Sequence, residues 1–231
     1  MPGGLPVGDD RGRALPVLTG TEGWRAVRLE ARDEAMVDIA SVGLLVDPRY
    51  FALGLPGAVA CCSLREGVAR ALVLADASLP DGVRLLVWDG FRPLETQAAL
   101  YNGYVDELLA IHPDWPVWQL EEHAARYVTP PTTSRVAPPP HFTGGAVDLT
   151  LADADGQPLD LGTSFDAFVP EAGALALEDV DSAARANRRI LYWAMHRAGF
   201  TAYVEEWWHF DLGNQFWGLV TGSAAYYGPA A

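Results

Sequence analysis

The sequence predicts an α+β fold in one domain spanning 1–231, a central antiparallel sheet with helices packed on it. Three observations carry this. Short apolar runs of strand character alternate irregularly with longer stretches of helical periodicity. The chain has 231 residues, and chains usually split into domains only beyond roughly 250 to 300. Half the residues are apolar and a fifth charged, an ordinary balance for a globular protein.

The elements follow in order. Residues 1–20 are rich in glycine, proline and charge and are expected to be loose or to lie on the surface. Val37–Ala40 and Gly43–Val46 read as short extended pieces. Ala58–Cys62 reads as a buried strand. Ser63 offers an N-cap to a helix through about Leu79, with Leu64, Val68, Leu72 and Leu74 in register. Pro80-Asp81-Gly82 is a turn, and Val83–Trp88 is a buried strand. Pro93 opens a helix from Leu94 to about Ile111, and Val117–Val128 is a second. The proline-rich stretch 129–140 reads as a rigid loop that delivers His141 to a fixed place.

Ala146–Leu151 alternates, with Val147, Leu149 and Leu151 on one face and Asp148 and Thr150 on the other. A turn at Asp153–Gly156 and a long loop lead to a helix capped by Asp181 or Ser182 and ended by Gly199. Thr201–Val204 and Trp207–Leu212 are the last strands. No repeat of solenoid period is present.

Charge and cysteine usage exclude several classes. Sixteen basic residues, all arginine, against thirty acidic ones give a net charge of −14, which disfavours nucleic acid and anionic membranes as partners. The two adjacent cysteines form no disulfide framework. No apolar run of about 18 residues is present to span a membrane. The first thirty residues hold no apolar signal core, so the expected location is the cytoplasm.

The chemistry concentrates in two segments. His141 begins His-Phe-Thr-Gly-Gly-Ala-Val-Asp, placing Asp148 on the polar face of its strand; His209 ends Glu-Glu-Trp-Trp-His. Two imidazoles and one carboxylate suit a catalytic zinc site, which takes three protein ligands and keeps a position open. Glu206 could then act as base toward a metal-activated water, and Arg92, at a strand-to-helix junction, could stabilise the developing oxyanion. On a straight strand Glu206 and His209 would face opposite sides, so sharing a metal requires a bulge or turn between them. His112, His123 and His196 lie in helical patterns and read as packed or solvated.

That combination resembles the zinc D-alanyl-D-alanine dipeptidases of the vancomycin-resistance type. The motifs are His141-x6-Asp148 within a Gly-Gly-Ala-Val-Asp-Leu-Thr-Leu run, Glu206-Trp-Trp-His209, Trp88-Asp-Gly-Phe-Arg92-Pro, Gly162-Thr-Ser-Phe-Asp166, and Asn187-Arg-Arg through Phe200, over roughly residues 24–217. The resemblance implies one zinc per chain on His141, Asp148 and His209, with Glu206 as general base and Arg92 on the tetrahedral intermediate. It implies Asp166 as holder of the dipeptide ammonium, and Tyr50 as a substrate contact. It also implies the α+β fold shared with the D,D-carboxypeptidases and the Hedgehog signalling domain. Where the family has hydroxyl residues before the first histidine, this chain has Pro139 and Pro140.

The expected activity is hydrolysis of D-alanyl-D-alanine or similar small dipeptides. One alternative is a zinc D,D- or L,D-carboxypeptidase acting on cell-wall peptides. Another is a zinc-holding binding module without turnover. The doubled tryptophan favours the dipeptidase; Glu206 and Arg92 count against the module, because holding zinc needs neither.

Overall fold

A computed structural model describes residues 10–230. In chain order its main elements are β1 (Met36–Asp38), β2 (Leu45–Val46), α1 (Arg49–Ala52), β3 (Ser63–Arg65), α2 (Glu66–Asp76), β4 (Arg84–Asp89), α3 (Leu94–Ile111) and α4 (Val117–Tyr127). There follow β5 (Ala146–Ala152), α5 (Ala183–Arg197), β6 (Thr201–Ala202), β7 (His209–Asp211) and α6 (Gln215–Thr221). Strands β2-β4-β5-β7-β6 form a five-stranded sheet, and β1 pairs with β3 in a small second one. The large sheet is antiparallel except at one edge, where β2 runs parallel to β4.

The central strand β5 is buried along its whole length. Val147, Leu149 and Leu151 point into the main core with Val68 and Leu72 of α2 and Leu191 and Met195 of α5. Helices α3 and α4 lie beside this body around their own cluster of Tyr104, Leu108, Leu120 and Ala124.

Several expectations need correcting. Ser63 does not cap α2: it begins β3, which pairs with β1, and the helix starts at Glu66. Its first turn is capped across the fold, the Glu34 carboxylate accepting from Gly67 N–H at 2.9 Å. Ala58–Cys62 is a loop rather than a strand; Val59 is exposed, and only Cys62 is buried. The strands drawn over Thr201–Val204 and Trp207–Leu212 shrink to β6 and β7, because residues 203–208 turn. Residues 1–9 lie outside the described part. Residues 11–18 lie largely on the surface yet the segment is fastened to α5: Arg197 pairs with the buried Asp10 at 2.7 Å, and Trp193 Nε1–H donates to the Arg13 carbonyl at 3.1 Å. Of the two caps considered for α5, Ser182 serves, its hydroxyl accepting from Arg185 N–H at 3.1 Å.

A candidate metal centre in a carboxylate-lined cleft

Sheet register builds the site. Asp148 on β5 sits opposite His209 on β7 and Asp89 on β4, so three polar side chains form a row across three strands. Asp89 joins that row because the β4 register shifts by one residue between Val87 and Asp89. Such a bulge turns the following side chain to the other face; without it Trp88 would stand opposite Asp148. His141 arrives from a short 3-10 turn, His141–Thr143, closed by Gly144 at φ 70°. Gly145 then passes so close to the Leu212 carbonyl that a Cβ would lie 2.7 Å from it. The glycine pair therefore lets the chain swing from the His141 turn directly into β5.

Three atoms converge. His141 Nε2 lies 3.1 Å from His209 Nδ1 and 3.3 Å from Asp148 Oδ1, and His209 Nδ1 lies 3.0 Å from the same oxygen. This is about the spacing of neighbouring corners in a tetrahedral zinc site with bonds of roughly 2.0 to 2.1 Å. The outer nitrogens are occupied. His141 Nδ1 lies 2.8 Å from the Gly90 carbonyl, which can only accept, so the proton is on Nδ1 and the Nε2 lone pair faces inward. His209 Nε2 lies 3.2 Å from Asp211, which Asn214 in turn holds at 2.5 Å. Tying the outer nitrogen of each imidazole is the usual way a protein orients metal ligands. All three groups are buried, and among the described residues they are the only such cluster. Two imidazoles and one carboxylate, with a side open to the cleft, fit a catalytic zinc ion.

Burial opposes charge on Asp148, but the adjacent imidazoles of His141 and His209 hold its carboxyl well below the usual range. Burial likewise opposes charge on His209, yet Asp211 and Asp148 raise its pKa well above that of a free imidazole. Binding a metal there must displace a proton. Arg92 Nη2 donates to Asp148 Oδ2 at 3.0 Å and to the Tyr50 hydroxyl at 3.3 Å; Nε donates to Asp89 at 2.8 Å and Nη1 to Gln97 at 3.1 Å. Although burial opposes it, the charge of Arg92 is secured by Tyr50, Asp89 and Asp148.

Glu206 lies in the turn between β6 and β7, the break needed for it to share a site with His209. Trp207 on one side is pinned, its N–H on the Ala172 carbonyl at 2.9 Å and its indole N–H on Thr163 at 2.8 Å. One residue further on, the Trp208 carbonyl accepts from Leu149 N–H at 3.1 Å. No hydrogen-bond donor among the described residues reaches the Glu206 carboxylate, and burial raises its pKa well above the ordinary value, against the pull of His209. Asp166 adopts a left-handed backbone, φ 57°, and accepts from the Tyr50 hydroxyl at 3.3 Å. Burial, with the charge of Asp148, pushes it up to about 7.

His141, Asp148, His209, Glu206, Arg92, Asp166 and Tyr50 all line one cleft. A sequence profile described as D-ala-D-ala dipeptidase matches residues 55–223. The chain belongs to this peptidase family. Family members include the D-alanyl-D-alanine dipeptidase of Synechocystis sp., 29% identical over 188 residues that cover 67% of this chain and 70% of that one. The enzyme of the same name from Enterococcus faecium is 31% identical over 160 residues, covering 66% and 72%. That of Escherichia coli is 31% identical over 145 residues, covering 63% and 62%. The solved structure of VanYB in complex with D-Alanine-D-Alanine aligns at a TM-score of 0.48 and 17% identity, covering 90% of this chain and 93% of that one.

Sequence reading missed the residues behind these family motifs. Asp89 stands in the Arg92 motif and Asp211 two residues after His209, on the same strand face, so both had a local signal. Gln97, which also donates to the Thr129 carbonyl at 2.6 Å, and Tyr203, whose ring centroid lies 5.7 Å from that of His209, had none. No helix of the described residues is long and apolar enough to cross a membrane.

Proposed function

We propose that this chain is a zinc-dependent dipeptidase that hydrolyses D-alanyl-D-alanine or closely similar small dipeptides. The observation that carries the reading is the convergence of His141 Nε2, Asp148 Oδ1 and His209 Nδ1 within 3.0–3.3 Å, beside a buried carboxylate and a buried guanidinium. His141, Asp148 and His209 hold the metal, one per chain. When bound, zinc supplies a Lewis acid that polarises a carbonyl and lowers the pKa of water.

The remaining work belongs to the chain. Glu206 takes the proton of the attacking water and passes it to the departing amine; its raised proton affinity suits both halves of that shuttle. Arg92 has four protein acceptors for its five N–H groups, and the remaining Nη1–H serves the oxyanion of the tetrahedral intermediate. Its bond to Asp148 also fixes which oxygen of that carboxylate turns toward the imidazoles. Asp166, steadied by the Tyr50 hydroxyl, receives the ammonium of the dipeptide, so a free N-terminus is required. A cytoplasmic location belongs to the same proposal and is checked by cell fractionation.

The test is hydrolysis by the zinc-loaded protein of a panel of free D,D-, L,D- and L,L-dipeptides and N-acylated tripeptides. Cleavage confined to free D,D-dipeptides is expected. Preference for acylated tripeptides would shift the reading to a carboxypeptidase. Glu206→Gln should bind zinc as the parent does and lose roughly 10²- to 10⁴-fold in kcat; near-normal turnover would remove Glu206 from the mechanism.

A further inference from the structure

The cleft is lined by carboxyl groups: Asp148, Asp166 and Glu206 face it, and Glu205 stands at its rim. A free dipeptide brings a carboxylate of its own into this setting. A carboxylate taken into a partly dry cleft needs a cation or donors as partner. Of the cleft-lining residues described, only Arg92 and Arg126 carry a fixed positive charge. Arg92 is committed, with Asp89, Gln97, Asp148 and Tyr50 as acceptors.

Arg126 is placed differently. It belongs to the last turn of α4, and its side chain is 54% exposed at the cleft mouth. Only its Nη2 is engaged, donating to both Glu205 oxygens at 3.2 Å; Nε and Nη1 have no acceptor among the described residues. Its backbone is held toward the metal site, because Tyr203 donates its hydroxyl to the Arg126 carbonyl while the Tyr203 ring packs on His209. Glu205 adjoins Glu206, so the guanidinium is tethered one residue from the proposed base. Pro140, beside His141 in the lining of the same cleft, offers no side-chain donor.

We infer that Arg126 receives the C-terminal carboxylate of the substrate, donating from Nη1 while Nη2 stays on Glu205. This deepens the dipeptidase reading and rests on it. Asp166 then takes the ammonium and Arg126 the carboxylate, and the two together measure the length of the substrate. An acyl group on the amine or an extension at the carboxyl end places a neutral group against one of these charges. The free Nη1 end of the guanidinium offers a carboxylate a charge-assisted hydrogen bond.

The test compares D-alanyl-D-alanine with its C-terminal amide, using zinc-loaded wild type, Arg126→Gln and Arg126→Lys. Hydrogen bonds to charged groups correspond to about ten- to hundredfold in affinity, so wild type should prefer the acid by that factor, chiefly through KM. Arg126→Gln should bring the acid to the level of the amide, chiefly through KM, with kcat for the acid held within about twofold. Zinc content and a thermal midpoint equal to wild type show that the variant is folded. Arg126→Lys, which keeps the charge but not the guanidinium's directed N–H groups, should retain part of the preference. Equal cleavage of acid and amide by wild type would overturn the inference and leave the dipeptidase reading standing. So would an Arg126→Gln enzyme that keeps the full preference. Wild type that cleaves neither compound would overturn the dipeptidase reading and this inference with it.

Discussion

Asp166 combines a left-handed backbone with a carboxyl pushed up to about 7, and both features carry a cost. A non-glycine residue in that region stores of order 1 to 3 kcal/mol, and such strain gathers at functional sites. The pH dependence follows from the direction of the shift. An unfolded Asp titrates near 3.9, so between about pH 4 and 7 the folded zinc-free protein holds a proton at Asp166 that the unfolded chain has released. Stability therefore falls as pH rises through this window. Asparagine tolerates the left-handed region and cannot ionise. Asp166→Asn should flatten the slope and, at pH 8, stabilise the zinc-free protein by on the order of 4 kcal/mol. The same change should lose about 2 to 4 kcal/mol in kcat/KM for a free dipeptide. Urea unfolding at pH 5 and pH 8, alongside kinetics, checks both halves. An unaltered slope would show that Asp166 does not carry the titration.

At the scale of elements, the loop between β5 and α5 holds Asp166 in place, and Arg188 closes that loop. Its guanidinium donates to the carbonyls of Leu161, Gly173 and Glu171 at 2.7, 2.8 and 2.8 Å, gathering both ends of the segment onto α5. Arg188→Met should strand these carbonyls and lower stability by about 3 kcal/mol, read as a fall in Tm on the order of 10 °C. KM for a free dipeptide should rise more than kcat falls. A variant with wild-type Tm would refute the clamp. What could be read from the sequence was local. Pro93 with a sustained 3.6 period set the bounds of α3, and alternation placed Asp148 opposite the aliphatic residues of β5. The β4 bulge left no local mark, because register is decided by partner strands. Nor could β3 be told from the start of α2, since its pairing with β1 lies nearly thirty residues back in the chain. The turn at Glu206 was required by chemistry before it was visible as a pattern.

At the scale of the whole molecule, the proposed metal ligands come from two adjoining strands and one proline-led turn, and each outer nitrogen is held by a partner on the same framework. Gly90, whose carbonyl accepts from His141 Nδ1–H, follows β4 directly, and Asp211, which holds His209, ends β7. Fold and site are therefore set by the same register. The central claim is that this register assembles a zinc centre, and it is tested most directly by diffraction from zinc-loaded crystals at the zinc absorption edge. One anomalous peak per chain is expected, enclosed by His141 Nε2, Asp148 Oδ1 and His209 Nδ1. Absence of a peak there, or a peak held by other residues, would contradict the account.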